Sequence, residues 1–144
     1  WYKNTYKDDF YKEINGTLSP SGELIDCISA VVYLKVNGVR FLFTGDAKYA
    51  VEEKIKLNYL NKVYNTFYQN ELVALEDIDF LKVSNGGADG CSGREFLELL
   101  KPKNAIIFTS GNSAPSNLVL NRLYESNKDY KVYKYLCFEF VLSW

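Results

Sequence analysis

Apolar and polar residues are most sharply patterned around one dipeptide. Ile28 to Val36 reads as a β-strand and Val39 to Thr44 as its return, with Asn37-Gly38 between them as a two-residue type I′ turn. Gly45-Asp46 closes the second strand. From Tyr49 to Tyr68, Val51, Ile55, Tyr59, Val63 and Phe67 recur at every fourth position, which predicts a helix or a broken pair of helices. Asp79 to Val83 is a short apolar strand and Ser84 to Ser92 a glycine-rich loop. Ser92 and Glu95 then have the spacing of a capping box, opening a helix that runs through Leu100 and stops at Pro102. Ala105 to Thr109 reads as a strand, Ser110 to Pro115 as a loop and Ser116 to Ser126 as a helix. Lys131 to Tyr135 and Cys137 to Leu142 close the chain as two strands. Ahead of all this, Trp1 to Asn15 has no clean period, and Gly16 to Gly22 carries the turn chemistry of a loop.

The order of these elements predicts an α/β (α+β) fold, a mixed β-sheet with helices on one face. Several strands are apolar at every position instead of alternating, among them Ala30-Val31-Val32-Tyr33-Leu34 and Ala105-Ile106-Ile107-Phe108. Strands of that kind are covered on both sides. Three short helices cover one face, so a second covering is expected from elsewhere: an N-terminal half outside this sequence, another copy (a homo-oligomer), another protein chain, or the Tyr-rich segment Trp1 to Tyr11 folded back. Residues 1–144 are read as a single domain or half-domain, with 1–24 as a Tyr-rich extension and loop.

Composition alters this picture in three ways. Aromatic residues make up 16% of the chain, with twelve tyrosines, which suits half-buried surfaces and contacts. The net charge of -1, with lysines scattered among acids, gives no global pull toward nucleic acid. There is no histidine and no methionine, so the commonest metal ligand and proton shuttle is missing, and a chain opening on Trp1 is expected to be a fragment or a processed product. Cys27, Cys91 and Cys137 are too dispersed for a zinc knuckle and too few for a disulfide framework. No apolar run reaches the ~20 residues of a membrane span and no signal peptide is apparent, so a cytoplasmic location without membrane contact is expected.

Three segments, taken together, carry a resemblance. Phe41-Leu42-Phe43-Thr44-Gly45-Asp46-Ala47, Phe80-Leu81-Lys82-Val83-Ser84-Asn85-Gly86-Gly87, and Ser110-Gly111-Asn112-Ser113-Ala114-Pro115 with the Val119 to Leu123 stretch resemble, in order and spacing, the later motifs of ComEC-like metallo-β-lactamase domains. The resemblance runs from about Ile25 to Leu142. It implies the C-terminal half of an αββα metallo-β-lactamase-like sandwich, with metals at one edge and a hydrolytic activity, nuclease action on DNA being the usual proposal for the bacterial competence proteins. By that resemblance Asp46 stands where the family aspartate contacts the metals. A carboxylate fixed at a strand end suits a hard divalent cation, while an ordinary aspartate there caps a turn or the next helix. Asn85 and Gly86 stand where the family has paired histidines, Gly87 in the same loop, and Ala114 where it has the histidine before proline. Asp26 falls where an asparagine is common.

Glycine and alanine offer no side-chain donor, so Asp46, Asp26 and Asn85 form at most a weak, vestigial site for magnesium or calcium held through water. No cofactor is expected; zinc or another divalent metal enters only if a missing half supplies ligands. The loop from Asn85 to Gly90 lacks the lysine and spacing of a phosphate cradle, and Cys91 has no histidine to activate it. The leading expectation is a catalytically degenerate domain acting as a scaffold or binding module. The alternatives are a fragment of a metal-dependent hydrolase and a nucleic-acid-binding remnant, nucleic acid not being favoured.

Overall fold

A computed structural model of the chain describes residues 11–14, 17–20, 29–62, 73–109, 114–129 and 131–136. Two strands, β1 (Tyr11–Ile14) and β2 (Thr17–Pro20), pair antiparallel by themselves. The expectation of an aperiodic stretch followed by a loop is corrected here. Their register runs from Tyr11 opposite Pro20 to Ile14 opposite Thr17; residues 15 and 16 between them lie outside the described residues.

The main sheet has five strands in the order β3 (Val32–Val36), β4 (Val39–Phe43), β5 (Phe80–Lys82), β6 (Asn104–Thr109), β7 (Lys131–Leu136). β3 and β4 are antiparallel and every later neighbour is parallel, so the sheet is mixed. Asn37 and Gly38 both have positive φ, at 50° and 82°, as a type I′ turn requires. Among the described residues three helices lie in the crossovers: α1 (Tyr49–Leu60), α2 (Arg94–Leu100) and α3 (Asn117–Ser126). The helix expected over Tyr49 to Tyr68 ends at Leu60, followed by Lys62 at φ 56°; residues 63–72 lie outside the described residues. So does the strand expected over Cys137 to Leu142.

From β4 to β7 the strand order never reverses. Parallel crossovers are right-handed, and a sheet that adds strands in one direction through right-handed crossovers receives all its helices on one face. The core follows that face. Leu42, Leu81, Ala105 and Ile107 from the strands are buried against Leu97 and Leu100 of α2 and Val119 and Leu123 of α3, with Ile55 and Tyr59 of α1 packed beside them. The opposite face carries Val32, Leu34, Phe43, Phe108, Tyr133 and Tyr135, all exposed. The α/β mixed fold with helices on one face is the architecture the strand pattern predicts.

Helix ends are set in different ways. Ser116 caps α3, its Oγ accepting from the Val119 N–H at 3.2 Å. α2 ends on Lys101 in the left-handed conformation at φ 41°, immediately before Pro102. The capping box expected from Ser92 and Glu95 does not form: α2 begins after Gly93, Ser92 sits at φ 53°, and no side chain of that segment caps the helix. Its cap comes from another helix.

Candidate functional site

The carboxyl ends of β4, β5 and β6 point to one edge of the sheet, where ligands of open α/β sheets are bound. The loops that leave these strands are tied together there. After β4, Gly45 has φ +55°, and a Cβ on it would lie 3.0 Å from the Ala30 carbonyl oxygen and 3.2 Å from Ser29 Cβ. The Asp46 N–H donates to Ser29 Oγ at 3.2 Å. After β5, Asn85, Gly86 and Gly87 are three consecutive residues of positive φ, at 46°, 59° and 79°. The Asn85 N–H donates to the Gly45 carbonyl at 3.1 Å and Lys82 Nζ donates to the same oxygen at 2.5 Å. After β6, Pro115 follows a cis peptide bond and presses on Gly87: a Cβ there would meet Pro115 Cβ at 2.6 Å. A Cβ on Gly86 would lie 2.9 Å from the Phe108 carbonyl oxygen, and the Ser116 N–H donates to the Gly87 carbonyl at 2.9 Å.

Asp46, Asn85, Gly86, Gly87 and Ala114 therefore lie on loops joined at one edge, while Asp26 lies outside the described residues. What this edge offers a cation is meagre. Asp46 is exposed and Asn85 half-buried, and α1 begins at Lys48 without a side-chain cap, so Asp46 does not serve that helix. Gly86, Gly87 and Ala114 present backbone only. Among the described residues no group of three His, Cys, Asp or Glu side chains is placed to hold a metal ion. A dinuclear zinc centre needs several imidazole, thiolate or carboxylate donors, and one carboxylate with one amide does not fit it.

A strongly perturbed ionisable group lies elsewhere. Glu52, on α1, is only 2% exposed, and its two carboxylate oxygens accept the N–H of Ser92 at 2.6 Å and of Gly93 at 2.8 Å. It thereby ties down the entry to α2 from a neighbouring helix, accepting from the N-cap Gly93 amide and the Ser92 amide before it and setting a carboxylate at the positive end of the helix. Burial pushes its pKa up to about 7, against the opposing pull of the two amides and of Arg122. The Arg122 guanidinium lies 5.5 Å from the centroid of the Tyr49 ring, donates to the Tyr49 hydroxyl, and reaches the Cys91 carbonyl at 3.3 Å. α1, α2 and α3 thus meet through charged groups around the loop that follows the strand edge.

A cleft of about 590 Å³ opens here between Tyr49, Glu52, Gly93, Arg122 and their neighbours. Charges lining it are already paired: Glu53 at 2.7 Å and Glu95 both with Lys56 beside the cleft, and Arg94 with Glu125 at 2.6 Å. The raised pKa of Glu52 is the mark of a possible acid–base group, yet both oxygens are turned to the Ser92 and Gly93 amides. The arrangement is that of a cap. Cys91 is equally inert: it is buried, its thiol donates to the Ala88 carbonyl at 2.8 Å, and burial pushes its pKa up to about 11.

Glu52 was not legible as a buried residue, since it sits one position from Val51 in the expected apolar stripe and glutamates are rarely buried. No family model, no curated protein and no solved structure matches the chain. Among the described residues no helix is long and apolar enough to cross a membrane.

Proposed function

We propose that this chain is a catalytically degenerate, metallo-β-lactamase-like domain that serves as a scaffold or binding module through the open face of its sheet. The observation that carries the reading is a contrast in supply. The strand-end edge has the tight glycine geometry of a ligand loop but one carboxylate, Asp46, and one amide, Asn85, to offer. Catalytic zinc is held by three protein ligands while its bound water is driven toward a pKa of ~7. Asn85, Gly86 and Ala114 occupy the positions where the resemblance asks for imidazoles. The open face, by contrast, is furnished for contact, with Phe41 stacked on Phe80 at 5.1 Å and Phe108 on Tyr135 at 5.7 Å.

In this reading the αββα sandwich is completed by a second sheet laid on that face. The deciding measurement is the metal content of purified protein after equilibration with zinc, manganese and magnesium in turn. The expected result is no stoichiometric transition metal, and the same value for Asp46→Ala. One equivalent of zinc or manganese, lost in Asp46→Ala, overturns the reading in favour of a metal-dependent hydrolase fragment. Salt-sensitive retention on single-stranded DNA would replace it with the nucleic-acid reading.

A further inference from the structure

We infer that the open sheet face is the seat of a second copy of this chain, the two packing face to face so that together they close one two-sheet sandwich. The inference rests on the reading of that face as the working surface, and its test does not involve metal.

Topology creates the vacancy. With all three crossovers on one side, none of the three helices covers the other side, although strands β3 to β6 are as apolar there as on the helix side. The vacancy is also of the right size. Val32, Leu34, Val36, Phe43, Phe108 and Tyr135 are each between 42% and 52% exposed, and further apolar side chains lie between them. With ~150–250 Å² for a whole aromatic side chain, the face presents about 700 Å² of accessible apolar surface. A standard interface takes roughly 800 Å² from each partner. A second sheet of similar extent covers it, stacking at about 10 Å.

Charge decides in favour of a copy. In a two-fold contact each patch meets itself, so a charge at its centre would face its own like. The register puts Lys82 alone among charged residues on the central strands of this face, and its ammonium is drawn to the Gly45 carbonyl at the strand-end edge. Lys131 stands at the outer corner of β7. A neutral patch lacks the charge pattern by which a surface selects a different protein. The helix side is the reverse, studded with the Lys56, Glu95, Arg94 and Glu125 ion pairs.

Light scattering on the whole chain, from low micromolar to near-millimolar concentration, is expected to give twice the monomer mass. Phe43→Lys and Phe108→Lys are each expected to weaken association at least tenfold, whereas Leu118→Lys, on an exposed position of α3, leaves it unchanged. Mixing Phe43→Lys with Phe43→Glu is expected to restore the doubled mass, which an unfolded variant would not do. Independently of any variant, nuclear Overhauser contacts between labelled and unlabelled wild-type copies are expected at Phe43, Phe108 and Val32. A wild-type monomer throughout overturns the inference, whatever covers the face instead. So does a dimer that survives both folded lysine variants, or intermolecular contacts confined to the helices.

Discussion

The two faces of the sheet are made of similar residues and have opposite fates. On β4, Leu42 is 2% exposed and the adjacent Phe43 42%; on β6, Ile107 is fully buried and the adjacent Phe108 is 43% exposed. Adjacent strand residues point to opposite faces, so this is a difference between faces and not between segments. Hydrophobic side chains alone do not decide what is buried. Connectivity does: right-handed crossovers deliver the three described helices to the Leu42 and Ile107 side. The Phe43 and Phe108 side is left as a surface with the chemistry of a core, which a folded protein retains when something docks there.

The largest test of that contrast is truncation of one residue on each face. Ile107→Ala is expected to lower unfolding stability by about 2–5 kcal/mol, because the helices above it cannot close the cavity. Phe108→Ala, its neighbour, is expected to cost less than about 1 kcal/mol when unfolding is measured on the dilute monomer. Equal losses in chemical denaturation would erase the distinction between a core face and a contact face.

A second test acts on the covered side through pH. Glu52 titrates near 4.5 when unfolded and near 7 when buried against α2. Between those values the folded protein holds a proton that the unfolded chain has released, so stability falls as pH rises through that window and is level above it. The expected loss is about 3 kcal/mol across the window, at 1.36 kcal/mol for each pKa unit. Glu52→Gln is expected to remove that slope, while exposing one backbone amide to a mismatched partner. Unfolding curves of the variant that keep the wild-type slope would show that another group carries it.

Glu52 also marks where reading the sequence stops. The Asn37-Gly38 hairpin and the βαβ succession follow from local signals, since turn chemistry and strand periodicity are properties of neighbours in the chain. The cap of α2 is not local. Ser92 and Glu95 have the spacing of a capping box, but Ser92 adopts a left-handed conformation and Glu95 turns to Lys56, so the amides go to a carboxylate 40 residues away. The first hairpin was missed for the opposite reason: Asn15-Gly16 is a turn signal, but the flanking strands Tyr11–Ile14 and Thr17–Pro20 are too short and too polar to show a period. Asn85, Gly86 and Asp46 were legible as one edge only through the order of three motifs. Their chemical poverty was legible from residue identity alone.

Gly87→Ala probes that edge, where the covered and open faces meet. At φ +79° a side chain is strained, and its Cβ would overlap Pro115 Cβ. A loss of about 1–3 kcal/mol is expected, shared between displacement of the Ala114-Pro115 loop and backbone strain. Gly38→Ala, at φ +82° with open space around it, isolates the strain component and is expected to cost less. If the two variants melt together, the loops are not held against each other and the edge is a looser structure than the one described.

The finest test asks whether the open face is organised or merely exposed. Phe108 and Tyr135 are register partners on β6 and β7, their ring centroids 5.7 Å apart and their planes within 28°. A double-mutant cycle to alanine is expected to give a coupling of about 0.5–1 kcal/mol, the value of an aromatic pair beyond its buried area. The cycle has to be run twice. In the dilute monomer both rings keep one side in water and the coupling sits at the lower end. Once the face is covered, water is excluded and each ring gains further neighbours, so the coupling rises with protein concentration. A coupling of zero in both regimes would mean that the aromatic pair is accidental, and that the contrast between the faces is one of composition without design.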